Sequence, residues 1–161
     1  MQKIRKARYS DRPAIWNTFK QIIQKGDTYA FSPDTSFAEF RKFWFASNQL
    51  CFVLLEGEEL LGSYTLRKNQ PGLGSHIANA SYIVNPAHQG KGIGKILCEH
   101  SIGVAKKAGY LGIQFNIVVS TNQAAVHLWK KMGFEITGTT PSGFRHLQLG
   151  YVDTFIMYRK L

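Results

Sequence analysis

The chain is expected to fold as an α/β protein: a mixed β-sheet of about seven strands with helices on both faces. Three observations carry this expectation. Segments of continuous or alternating apolar character interleave with segments whose apolar residues recur at helical spacing. Residues 113–119, IQFNIVV, are nearly all apolar or β-branched, as in a buried parallel strand. Tyr82 to Leu97, YIVNPAHQGKGIGKIL, reads as strand, glycine-rich turn and helix in direct succession.

Lys3 to Ala7 begins the chain as a short, charged strand. Ser10-Asp11-Arg12-Pro13 starts a helix, a capping residue followed by proline in the first turn. Ile15, Trp16, Phe19, Ile22 and Ile23 continue it at helical spacing, and Gly26 stops it. Residues 27–35 form a loop. A second helix follows from Ser36, with Phe37, Phe40, Phe43 and Trp44 facing inward. Cys51 to Leu55 is a strand that turns through Glu56-Gly57-Glu58-Glu59 into a hairpin partner, Leu60 to Leu66. Residues 67–75 are a polar loop, and His76 to Val84 is the central strand. Gly92 to Ala108 is the long helix, closed by Gly109. After the strand at 113–119, a short helix follows Asn122, Phe134 to Thr139 is a strand, 140–150 a loop, and Tyr151 to Arg159 the last strand. The order is β-α-α-β-β-β-α-β-α-β-β.

At 161 residues, 44% hydrophobic and 19% charged, the chain is long enough for one domain, 1–161, with a sizeable core. No apolar run approaches the ~20 residues that span a bilayer. The N-terminus has basic residues without an apolar segment behind them, so no signal peptide is expected. Cys51 and Cys98 sit in apolar segments, and no Cys/His spacing suggests a metal site. A reducing cytoplasm is the simple inference. The net charge of +10 is compatible with nucleic acid, but the basic residues are dispersed and the aromatics do not form a stacking platform. A small ligand bearing several phosphates suits the same surface, so neither a nucleic-acid nor a membrane partner is expected.

Gly90, Gly92 and Gly94 fall within five residues, immediately before a helix. Small residues let a backbone approach a phosphate, and the unpaired N–H groups of a first helical turn point at it. Lys91 and Lys95 add positive charge there. Alone, the same stretch also reads as a helix that starts after a flexible turn. It lacks the Gly-Lys-Ser/Thr of a P-loop, and its spacing is not G-x-G-x-x-G. Gln89-x-x-Gly92-x-Gly94 does resemble the Q/R-x-x-G-x-G/A signature of the GNAT acetyltransferases. Asn122 to Phe134, NQAAVHLWKKMGF, is similar to that family's second segment, N-x-x-A-x-x-L-Y-x-K-x-G-F, at Asn122, Ala125, Leu128, Lys131, Gly133 and Phe134. Packing accounts for the stripe Ala125, Leu128, Trp129, Met132, but not for the ordered pairing of the two segments.

The resemblance implies the GNAT fold, with the element order above, and acetyl-CoA as acetyl donor. It implies that the strands ending at Val84 and Val119 splay apart, leaving backbone groups of Ile83 and Val84 free for the pantetheine amides. Gln89, Gly90, Lys91, Gly92, Ile93, Gly94 and Lys95 would hold the pyrophosphate, with Asn122, Ala125, Trp129 and Lys131 completing the cofactor site. Asn122 is equally a helix cap. The family's usual tyrosine, a proposed acid for the departing thiolate, is Trp129 here. An indole N–H donates a hydrogen bond but delivers no proton at neutral pH, so Trp129 is a wall of the site or core. A homodimer is a family-level expectation.

The acceptor pocket is expected from the 27–35 loop, the strand around 79–82 and the 140–150 loop, with Tyr29, Phe31, Asn79, Tyr82, Asn116, Arg145 and His146 as candidates. Each also reads as a packing or turn residue. Tyr82, Trp129 and Asn116 are the candidates nearest to chemistry, and no base is identified: the central strand carries no carboxylate, and Asp153 reads as an edge-strand charge. An aromatic, acid-poor pocket suits a small amine or amino acid better than a polycation, and Arg145 is a candidate partner for a carboxylate. Two functions follow: N-acetyltransfer to such an amine, or an acyl-CoA-binding sensor module without turnover.

Overall fold

The computed structural model describes residues 1–161. Seven strands form one sheet: β1 (Gln2–Lys6), β2 (Gln49–Glu56), β3 (Glu59–Lys68), β4 (Ile77–Val84), β5 (Gly112–Val119), β6 (Glu135–His146) and β7 (Gly150–Lys160). Their spatial order is β1-β2-β3-β4-β5-β7-β6. Every neighbouring pair is antiparallel except β4 and β5. Four helices cover the faces: α1 (Arg12–Gln24), α2 (Phe37–Trp44), α3 (Ile93–Lys107) and α4 (Gln123–Lys131).

Strand alternation sends successive side chains to opposite faces, and two cores result. On one face, Ile15, Phe19, Ile22 and Ile23 of α1 and Phe40 and Trp44 of α2 pack on Val53, Leu60 and Ile83. On the other, Ile93, Leu97, Cys98, Ile102 and Ala105 of α3 and Val126 of α4 pack on Leu54, Tyr64, Leu66, Ala78, Ala80, Ile113 and Phe115. Burying side chains of this size stabilises by about 1.5–3 kcal/mol each.

Several local expectations are corrected. Asp11 does not cap α1 with its side chain. Its carboxylate is held bidentately by Arg5, at 2.7 and 2.9 Å, and accepts from the Arg8 N–H. Ser36, in contrast, forms a full capping box with Glu39 at the start of α2. Phe37 is 41% exposed because it lies on the first turn, outside the stripe buried by Phe40 and Trp44. Residues 67 and 68 belong to β3, not to a loop. The expected loop over 140–150 is mostly strand: β6 runs to His146, accommodating Pro141-Ser142-Gly143 as an irregularity between Thr140 and Phe144. Asp153 is not on an edge, since β7 lies between β5 and β6. Its carboxylate accepts from the N–H of Ser142, which sits at φ 52°. Finally, β5 is parallel to β4 only at its first residues and antiparallel to β7 along most of its length.

The tip joining β6 to β7 packs onto the end of α1. Leu147 donates its N–H to the Gly26 carbonyl at 3.1 Å, and a side chain at Gly26 would collide with that of Leu147. Gly26 is also at φ +61°, the left-handed conformation that ends the helix.

Candidate functional site

Strands β4 and β5 pair only at Ile77↔Gly112 and Ala78↔Ile113, then diverge. Asn79 marks the fork: its buried amide donates to the Gln114 carbonyl at 2.9 Å. On the far side of β5, the ladder with β7 is interrupted between Phe115 and Val118, which turns Asn116 and Ile117 outward. A cleft of about 1180 Å³ opens between the strands.

In an antiparallel ladder, alternate residues direct their backbone groups to the same neighbour. Asn85 donates to Leu61 at 2.9 Å, so Ile83 is also turned toward β3, where it pairs with Ser63. The expectation that Ile83 offers free backbone groups is therefore corrected. Its side chain, 1% exposed, is in the α1–α2 core. Tyr82 and Val84 face the open side. The Tyr82 carbonyl is taken by the Tyr29 hydroxyl at 2.7 Å, leaving Val84 as the unpaired edge.

At the end of β4, a short 3₁₀ turn over Pro86–His88 leads to the glycines. Gly90 and Gly92 are at φ +78° and +77°, open to residues without a Cβ penalty. Gly92 is the residue before α3. The N–H groups of Gly90, Gly92, Ile93, Gly94 and Lys95 have no acceptor within the protein. Together with the positive end of the helix dipole they form a concavity of the kind that suits an anion. Gly94 lets α4 approach: a Cβ there would stand 3.0 Å from Leu128 Cδ2. Gln89, Gly90, Gly92, Gly94 and Lys95 line the cleft, as does the buried Ile93. Lys91 does not. Its ammonium lies 3.4 Å from His88 Nδ1, and His88 Nε2 lies 2.7 Å from Glu59.

The α4 side of the cleft carries Asn122, Ala125, Trp129 and Lys131. Asn122 caps its helix, accepting from the Ala125 N–H at 3.2 Å, while its Nδ2 donates to Thr28 at 3.0 Å. Trp129 packs on Tyr82 (centroids 5.0 Å apart) and Phe115 (4.9 Å), and its indole N–H has no partner in the protein. The Tyr82 hydroxyl is turned away from the cleft, 2.7 Å from Ser101 on α3, and burial raises its pKa well above the ordinary value. This removes it as a ready proton donor.

On the α1–α2 side, Tyr29, Phe31 and Phe43 form an aromatic wall, with Phe31 4.8 Å from Phe43. Asn116 lines the cleft but is held by Gln114 and Asn69, at 3.0 and 2.8 Å. His146 also lines it, and its Nδ1 accepts from the N–H groups of Gln148 and Leu149, so the ring fastens the β6–β7 tip. Arg145 is not on the cleft. Strand alternation sends it outward between buried Phe144 and His146. Three further charged residues line the cleft, Lys25, Asp27 and Arg67. Arg67 lies in β3 rather than in the expected loop, directly after the buried run Leu60–Leu66. Asp27, the one carboxylate on the lining, carries no local pattern.

The family model for the GNAT acetyltransferases matches residues 16–134. The chain belongs to the GNAT acetyltransferase family. It is 30% identical over 151 residues to the N-acetyltransferase aca1 of Schizosaccharomyces pombe, covering 83% of this chain and 72% of that protein. The structure of a GCN5-related N-acetyltransferase from Kribbella flavida superposes with a TM-score of 0.94 at 38% identity, over 99% of this chain and 98% of that one. The structure of yncA from Salmonella typhimurium, solved with its cofactor acetyl-CoA, shares the fold at a TM-score of 0.84 and 22% identity, over 100% and 94% of the two chains. The GNAT chain described here is therefore an acetyltransferase with a seven-stranded sheet whose one parallel pair forks into a cleft.

Proposed function

We propose that this enzyme transfers the acetyl group of acetyl-CoA to the amine of a small molecule, an amino acid or a related small amine, by direct attack on the thioester. The observation that carries this reading is the run of acceptor-less N–H groups at Gly90 and Gly92–Lys95, which opens onto the same cleft as the fork between β4 and β5. Phosphate oxygens satisfy such donors, and an extended amide-bearing arm satisfies the open edge at Val84 as an added strand does. In this reading Val84, Gln89, Gly90, Gly92, Ile93, Gly94 and Lys95 hold the donor. Ala125, Trp129 and Lys131 wall it, and Asn122 orders the α4 side through its cap and its bond to Thr28.

Acetyl-CoA supplies an activated acyl group whose thiol leaves readily, with a pKa of ~8.5. No dedicated acid is then needed, which agrees with tryptophan at position 129. The amine must shed a proton before it attacks, and Asp27 is the one carboxylate on the lining to which cleft water can relay it. Tyr29, Phe31 and Phe43 give the acceptor an aromatic wall. A reducing, cytoplasmic setting suits Cys51 and Cys98, both free thiols whose pKa values burial pushes up to about 11 and about 12.

The test is thiol release from acetyl-CoA with a panel of amino acids, arylamines, polyamines and aminoglycosides, with mass spectrometry of the product. Acetylation of an amine is the expected result. Tight acetyl-CoA binding without acetylation of any amine would favour a sensor module instead.

A further inference from the structure

Arg67 is the one arginine on the lining of the cleft. It lies near the end of β3, paired across the ladder with Asn79, and its guanidinium carbon stands 4.8 Å from the centre of the Phe43 ring. It is half-buried and lines the cleft. Yet it has neither a carboxylate partner nor a hydrogen-bond acceptor within the protein, whereas Arg5, for comparison, is fully engaged by Asp11. A half-buried guanidinium over an aromatic ring, with its donors free, is placed to receive a planar oxyanion.

The donor's phosphates do not account for this cation. The glycine turn follows Val84, whose ladder partner is Gly62, five residues along β3 from Arg67. At about 3.3 Å per residue that is roughly 16 Å. Arg67 belongs instead to the side walled by Tyr29, Phe31 and Phe43. There the lining holds one carboxylate, Asp27, against Lys25 and Arg67, which disfavours an acceptor with several positive charges.

We propose that Arg67 binds the carboxylate of the acceptor, so that the enzyme selects amines carrying such a group and discriminates against their neutral amides. This rests on the acetyl-transfer reading of the cleft. It also moves the carboxylate partner from Arg145, which points to solvent, to a residue inside the site.

The experiment compares amino acids with their carboxamides in steady state, for the wild type and for Arg67→Met and Arg67→Lys. The expected wild-type preference for acid over amide is at least tenfold in kcat/KM. Arg67→Met should reduce that ratio to near one, through KM for the acid, while KM for acetyl-CoA changes less than twofold. Arg67→Lys should recover only part of it, because an ammonium lacks the two-pronged geometry. In parallel, calorimetry follows binding of N-acetyl amino acids and N-acetyl amino amides. The expected result is that the wild type binds the acids at least tenfold tighter and Arg67→Met binds both alike. Wild-type enzyme that acetylates amides as well as acids overturns the role of Arg67 and leaves acetyl transfer standing. If no amine is acetylated, the transfer reading fails, and the calorimetric acid-over-amide ratio still decides whether Arg67 reads a carboxylate.

Discussion

The Tyr29 hydroxyl donates to the Tyr82 carbonyl oxygen at 2.7 Å, joining the loop after α1 to the central strand where the sheet forks. The bond occupies a backbone acceptor that β5 would satisfy in a continuous sheet. It also fixes the aromatic wall against the cleft, and burial beside this carbonyl raises the tyrosine pKa above its ordinary value, so the group stays a donor. Tyr29→Phe should leave the carbonyl unpaired and destabilise the protein by about 1–3 kcal/mol. Urea unfolding measures this. KM for the acceptor should rise while acetyl-CoA affinity stays within twofold, and an unchanged unfolding midpoint would show that water replaces the hydroxyl without loss.

Gly92 tests the anion cradle. Gly92→Asp puts a negative charge beside the free N–H groups and a side chain at φ +77°, which costs about 1–2 kcal/mol of backbone strain. Acetyl-CoA affinity should fall at least tenfold, about 1.4 kcal/mol. Calorimetry on protein whose circular dichroism matches the wild type checks this, and an undiminished affinity would rule the cradle out.

Trp129 separates a wall from a proton donor. It sits against Tyr82 and Phe115 with its N–H unpartnered. Trp129→Phe should keep most of the turnover, because an aromatic surface remains. Trp129→Ala should lose more turnover and also stability, by part of the ~3–5 kcal/mol that a fully buried truncation costs. A folded Trp129→Phe enzyme that binds acetyl-CoA but does not turn over would make the indole N–H essential.

His100 gives the fold a pH dependence. Its Nδ1 lies 2.7 Å from the Tyr64 hydroxyl, and burial, with Lys107 adding to it, lowers its pKa below the ordinary value. The folded state thus prefers the neutral ring. An unfolded histidine titrates near ~6.5, so the stabilisation is present above that pH and is lost as pH falls through the lower folded value. The urea midpoint should drop between pH 7.5 and 5, and His100→Phe should flatten that slope. An identical slope in the variant would assign the dependence to other groups.

What could be read from the chain was local. Gly92 and Asn122 announce helix starts through residue types whose physics acts within a few positions, and the two amphipathic faces around Phe19 and Leu97 follow from spacing alone. What escaped was set by distant partners. Pro141-Ser142-Gly143 has the composition of a loop, but Asp153 across the ladder holds the Ser142 N–H and keeps the segment in β6. Once that stretch is strand, alternation turns Arg145 to solvent and His146 inward, a consequence that a loop would not have. The position of β7 between β5 and β6 leaves no mark in any short window. Arg67 carries no mark in the sequence, because a single cation at a strand end has no periodicity of its own.

The bond between Leu147 and Gly26 bears on how acceptor preference is inherited. The segment after α1 supplies Asp27, Tyr29 and Phe31, and the β6–β7 tip supplies His146, so two stretches more than a hundred positions apart meet at one cleft. Because no side chain at position 26 is compatible with Leu147 as it sits, neither stretch is free to drift alone. A chimera that exchanges residues 26–31 with a relative should carry the matching 146–149 tip to remain folded. Acceptor choice in this lineage is then expected to change by paired replacement, with the donor side, 89–95, left untouched.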